Sequence, residues 1–100
     1  MYDDGQGVPQ DYKEAVKWYT LAAEQGHASA QTNLGLMYVN GTGVLQDYIR
    51  AHMWWNIAAA NGHDAARKNR DIVAKKMTPE QIEKAQALAK ECLRKDYKGC

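Results

Sequence analysis

The chain has 100 residues, a formal net charge of +1 at pH 7 and 45% hydrophobic residues, which fits one small domain, or a piece of a larger one, with a single thin core. Leu, Ile and Val total only 15 and Phe is absent, but Ala supplies another 15, and without a large net charge this profile points to close-packed helices with Trp and Tyr as fillers rather than to disorder. No apolar run approaches the roughly 18 residues of a membrane helix, and the opening Met1-Tyr2-Asp3-Asp4 is not a signal peptide.

A shift of 36 residues organises the chain: 16 of the 34 pairs that it aligns from Met1 to Leu34 are identical, more than chance provides. Met1-Tyr2 matches Met37-Tyr38 and reads as the last turn of a helix whose earlier part is missing. Gly5-Gln6-Gly7-Val8 matches Gly41-Thr42-Gly43-Val44, a chain-reversing turn. Tyr12, Ala15, Tyr19, Ala22 and Ala23 then fall at helical spacing, widened by Val16 and Trp18, with Asp11 as N-cap and Gly26 as the left-handed stop. A second helix opens near Ala28 and aligns Ala30, Leu34, Met37 and Tyr38. Gly35 inside it costs about 1 kcal/mol of helix propensity, which implies close approach by a neighbouring helix.

Past the second turn the helix pattern recurs from Asp47 to Gly62, with Ala51, Trp54 and Ala58-Ala59 on the stripe and Trp55 in place of Tyr19. Recurrence of the tryptophans with the alanine stripe predicts core packing for Trp18, Trp54 and Trp55. The next helix departs from the pattern, carrying Arg70-Asp71 where Leu34-Gly35 stands in the first copy. A last helix starts at Thr78-Pro79-Glu80-Gln81, a capping box with proline in the first turn and a Met77–Ile82 staple. Its expected buried stripe is Ile82, Ala85, Ala89 and Leu93.

Leu34-Gly-x-x-Tyr38, Gly41-x-Gly43-Val44, Asp47, Ala51, Trp54, Ala58-Ala59 and Gly62 resemble the Sel-1-like repeat, a 36-residue relative of the tetratricopeptide helix pair. The resemblance covers about residues 1–69. It implies an all-α, right-handed α/α solenoid, with repeats over 1–76 (the first truncated, the third degenerate) and a capping helix and tail over 77–100. It also implies a protein–protein interaction scaffold or adaptor without catalytic activity. About three stacked units normally bury a continuous solenoid core, so a fragment of a longer array, or a chain that forms a homodimer through its open N-terminal end, is a further expectation.

The residues offer little chemistry. Ser29 is the only serine, and no Ser-x-x-Lys or Gly-x-Ser-x-Gly occurs, although some cysteine-rich members of the family are linked to penicillin binding. His27 and His63 are repeat equivalents in inter-helix turns and His52 sits within a helix, so no metal-ligand spacing arises. The Gly-x-Gly pairs lack the third glycine and the preceding strand of a nucleotide site, so no cofactor is expected.

Cys92 and Cys100 are candidates for a disulfide if the chain folds back near Gly99; two unpaired thiols are the alternative. Their Cys-x7-Cys spacing resembles that of exported family members, so a periplasmic or secreted location is favoured over a cytoplasmic one if they pair.

In the family the first helix of each repeat lines the concave surface. Carried over, Gln31, Thr32, Arg67, Lys68 and Asp71 are the expected partner-binding positions. Residues 1–63 carry a balance of −3 and residues 64–100 one of +4. Arg67, Lys68, Arg70, Lys75 and Lys76 therefore offer an alternative, an acidic ligand or nucleic acid; a protein partner, rather than nucleic acid, is the expectation.

Overall fold

The computed structural model describes residues 11–100. The Met1-Tyr2 and Gly5-Gln6-Gly7-Val8 elements lie outside the described residues. Five helices follow one another: α1 (Tyr12–Ala23), α2 (Ala28–Asn40), α3 (Tyr48–Ala60), α4 (Asp64–Ala74) and α5 (Pro79–Arg94). Each packs on its successor as far as α4, whereas α5 lies against α3. This is an α/α solenoid, with α2–α3 as a complete unit among the described residues.

Local chemistry sets the boundaries. Asp11 and Asp47 accept hydrogen bonds from the Glu14 and Arg50 amides at 3.0 and 3.1 Å, which satisfies free donors at the starts of α1 and α3. Thr78 and Gln81 close the capping box of α5 at 3.0 and 3.1 Å. His27 and His63 occupy N-cap positions, but neither side chain makes a capping bond.

One stop signal closes α1, α3 and α5. The His27 and His63 amides reach back to Ala22 and Ala58, and the Gly26 and Gly62 amides to Ala23 and Ala59. This paired Schellman pattern requires the positive φ of Gly26 and Gly62, +87° and +89°. After α5 the same pair runs from Tyr97 to Cys92 and from Asp96 to Leu93, with Asp96 taking the left-handed position at φ 55°.

Two apolar clusters meet at α3. Ala23, Ala30, Leu34, Met53, Trp54 and Ile57 join Ala89 and Cys92 in one; Ala51, Trp55, Ala58, Ala66, Val73, Met77 and Ala85 form the other. Gly35 is where the backbone of α2 meets the Trp55 indole. A Cβ there would sit less than 3.0 Å from three indole atoms, so only glycine lets the helices come this close.

Two packing expectations need correction. Trp18 is 63% exposed whereas its repeat equivalent Trp54 is 1% exposed. The reason is position in the array: α3 is enclosed by α2, α4 and α5, while α1 packs mainly on α2. Leu93 is exposed and Cys92 takes its place on the buried stripe of α5, one residue earlier in register. His52, inside α3, is nearly fully buried.

The tail after α5 folds back. Cys92 and Cys100 are joined as a disulfide with Cα atoms 5.6 Å apart. The Tyr97 ring lies over Gly26, and its hydroxyl donates to Asn61 Oδ1 at 3.2 Å. Arg50 Nη1 donates to the Cys100 carbonyl at 2.6 Å. Tyr97 and Cys100 thus join the first cluster from below α5.

Candidate interaction surface

Helices α2 and α4 occupy equivalent places in successive units and both lean on α3. Between them lies a cleft of about 100 Å³ lined by Leu36 and Val39 from α2, Asn69, Ile72 and Val73 from α4, Lys76 from the turn beyond, and Trp55 of α3 at its floor. Leu36 and Ile72 stand 36 residues apart and are both exposed, at 48% and 59%. Trp55 is fixed beneath them: its Nε1 donates to the Thr32 carbonyl at 2.8 Å and the ring is almost fully buried.

The five polar positions read from the sequence do not behave alike. Gln31 is a correction: it is fully buried, and no partner can reach it. Its Nε2 donates to the Ala23 carbonyl at 3.0 Å, and its Oε1 accepts from Asn61 Nδ2 at 3.1 Å. Since Asn61 Oδ1 accepts from Tyr97, a polar ladder runs from the end of α1 through α2 and α3 to the tail. A buried amide with both ends satisfied is a packing element, not a contact surface.

Thr32 is half-buried and also committed internally. Its hydroxyl donates to the Ala28 carbonyl at 2.9 Å and lies 2.7 Å from His63 Nδ1, which ties α2 to the start of α4. With its one proton given to Ala28, the hydroxyl accepts from His63 Nδ1–H.

Arg67, Lys68 and Asp71 are exposed on α4. Arg67 hydrogen-bonds Asp64 one turn earlier, and its guanidinium holds that carboxyl below the usual carboxylate range. Asp71 accepts from Arg70 Nε at 3.2 Å, while Arg70 Nη1 reaches Asn56 Oδ1 of α3 at 2.9 Å. Of the five basic residues considered for an acidic ligand, two are therefore engaged. Lys68, Lys75 and Lys76 form no ion pair among the described residues.

Leu36 and Ile72 escape a reading of the apolar stripes because they lie off the stripe of their helices. A signal for them does exist in the sequence: a large aliphatic residue recurs at the repeat interval on a face that the stripe leaves to solvent. A larger trough, about 1060 Å³ and wide open, runs along α3 and α5; Glu83, Lys90, Glu91 and Arg94 give it mixed charge. No helix among the described residues is long and apolar enough to cross a membrane.

Comparison with known proteins agrees with this architecture. The Sel1 repeat pattern matches residues 1–27 and 28–63. A crystal structure of a protective antigen present in uropathogenic Escherichia coli strains, displaying an SLR fold, is 34% identical, with a TM-score of 0.84 over 94% of this chain and 21% of that one. A Sel1 repeat protein from Oxalobacter formigenes is 43% identical, with a TM-score of 0.63 over 69% of this chain and 28% of that one. An uncharacterized protein of Neisseria meningitidis serogroup B is 64% identical over 28 residues, which is 28% of this chain and 6% of the other. The chain thus spans less than a third of each of these relatives.

Proposed function

The chain belongs to the Sel1 repeat family, and from that premise we propose that it is a non-catalytic interaction module that holds a partner protein along the face shared by α2 and α4. Sel1 repeat proteins generally act as protein-interaction scaffolds. The observation that carries the assignment to this face is the duplicated exposure of Leu36 and Ile72 above the Trp55 floor. Apolar residues exposed singly are ordinary on protein surfaces, whereas a pair at equivalent positions flanking one cleft, with a polar rim, has the make-up of an interaction site.

The test is affinity capture from an extract of the source organism, using the parent chain and two variants with unchanged helical circular dichroism. The first is Leu36→Asp/Ile72→Asp; the second is Lys90→Glu on the far trough. A protein retained by the parent and by the trough variant, but lost by the double variant, supports the reading. Capture indifferent to Leu36 and Ile72 refutes it.

A further inference from the structure

The chemistry of the partner segment follows from the cleft itself, and this step rests on the interaction reading above. At about 100 Å³ the cleft is well short of the 300–1,000 Å³ typical of small-molecule sites, but it has room for one aliphatic side chain. Its walls suit such a side chain, with Leu36 and Ile72 as jaws.

The surroundings are one-sided in charge. Residues 28–40 of α2 carry no charged side chain. On the other wall, Lys68, Lys75 and Lys76 stand three or four residues from Ile72 and so share its side of the chain. Lys76 lines the cleft directly. Both acids of α4, Asp64 and Asp71, are paired with Arg67 and Arg70. Asn69, also lining the cleft, offers an amide that pairs with either a carbonyl or an N–H of an extended backbone.

We infer that the cleft binds an extended acidic segment of a partner protein, with one apolar side chain seated between Leu36 and Ile72 and carboxylates meeting Lys68, Lys75 and Lys76. A single-stranded nucleic acid fits less well. It would use the lysines, but its bases stack on open aromatic faces, and Trp55 is only 3% exposed.

The experiment is a titration of the isotope-labelled full chain, followed by amide and indole resonances. The probes are short blocked peptides: a central leucine among glutamates, the same with lysines for glutamates, and the acidic one with serine for leucine. The acidic leucine peptide should shift the Trp55 indole and the amides of Leu36, Ile72 and Lys76. Serine in place of leucine should weaken it by about tenfold or more. High salt should weaken it too, since the Debye length falls to about 3 Å at 1 M. The variant Lys75→Glu/Lys76→Glu should reverse the preference between acidic and basic peptides.

Equal or tighter binding of the lysine peptide at the same resonances overturns the acidic preference and leaves the interaction face standing. Shifts confined to the α3–α5 trough, or none with any peptide, overturn the inference and the face together. Displacement of the acidic peptide by an oligothymidylate of comparable affinity overturns it in favour of nucleic acid.

Discussion

Replacing Gly35 by alanine sets two opposed effects against each other at one atom. Alanine in a helix interior is favoured over glycine by about 0.8–1.0 kcal/mol, and α2 has ordinary helical geometry at this point, so propensity alone predicts a more stable protein. The new methyl, however, falls within 3.0 Å of three atoms of the Trp55 indole. That ring cannot swing aside cheaply, because it is buried among Ala51, Ala58 and Val73 and holds the Thr32 carbonyl through Nε1. Overpacking of this kind costs about 1–3 kcal/mol, and loss of the indole hydrogen bond adds about 1 kcal/mol. Contact therefore outweighs propensity, and Gly35→Ala should destabilise by about 1–3 kcal/mol net.

In a domain of this size that corresponds to a Tm lower by roughly 5–15 °C. Urea unfolding of Gly35→Ala, Trp55→Leu and the double variant measures the coupling directly. In the Trp55→Leu background the alanine should become neutral or stabilising, for a coupling energy of about 2 kcal/mol. Gly62→Ala is the control: no described residue lies within 4 Å of its Cβ position, its φ is +89°, and its cost of about 1–2 kcal/mol is a backbone cost indifferent to Trp55. A Gly35→Ala protein more stable than the parent, or an additive double variant, refutes the close approach of α2 and Trp55.

Two further perturbations probe the tail and the buried histidine. The Cys92–Cys100 link closes a loop with a sequence separation of 8, so Cys100→Ser should cost about 2.5 kcal/mol, read as a lower Tm that reducing agent no longer changes. His52 has a buried Nδ1 without a partner among the described residues, and burial, then the Arg70 charge, lower its pKa from 6.5 against a smaller opposing pull from Asp71. Below about pH 6.5 the unfolded chain binds the extra proton first, so stability is full above that pH, falls as pH drops toward the folded-state pKa, and levels off beneath it. His52→Val, which places there the residue found at equivalent position 16, should flatten that part of a Tm-against-pH curve; an unchanged curve rules His52 out as its source.

The helix boundaries were legible because each depends on a few local residues. Asp11, Asp47 and Thr78 accept from amides three residues on, and Gly26 and Gly62 supply the backbone that a Schellman stop needs. Interactions between distant parts of the chain were not legible in the same way. Gln31 reads as a surface residue because it is a polar position off the apolar stripe of α2, on the helix that lines the concave face in the family. What buries it is Asn61, 30 residues on, with Tyr97 behind it, and no local pattern announces that ladder. Leu93 is a related case: Cys92 and Leu93 are both at helical spacing from Ala89, and Cys92 is the one that packs in the first cluster, bonded to Cys100 of the tail.

Comparing equivalent positions also separates two kinds of exposed apolar surface. Trp18 and Leu21 are 63% and 47% exposed on α1, yet their counterparts Trp54 and Ile57 on α3 are 1% and 0% exposed. The same residue type at the same helical position changes burial because the neighbours change, so this face belongs to the stacking of the array. Leu36 and Ile72 behave differently, being exposed in both units although α2 and α4 have different neighbours. Stacking of units therefore leaves their side of the solenoid open at both positions. An apolar side chain kept in water at each of these positions is left open to burial by something outside the array, and that is the physical ground for proposing the partner over α2 and α4 rather than over α1.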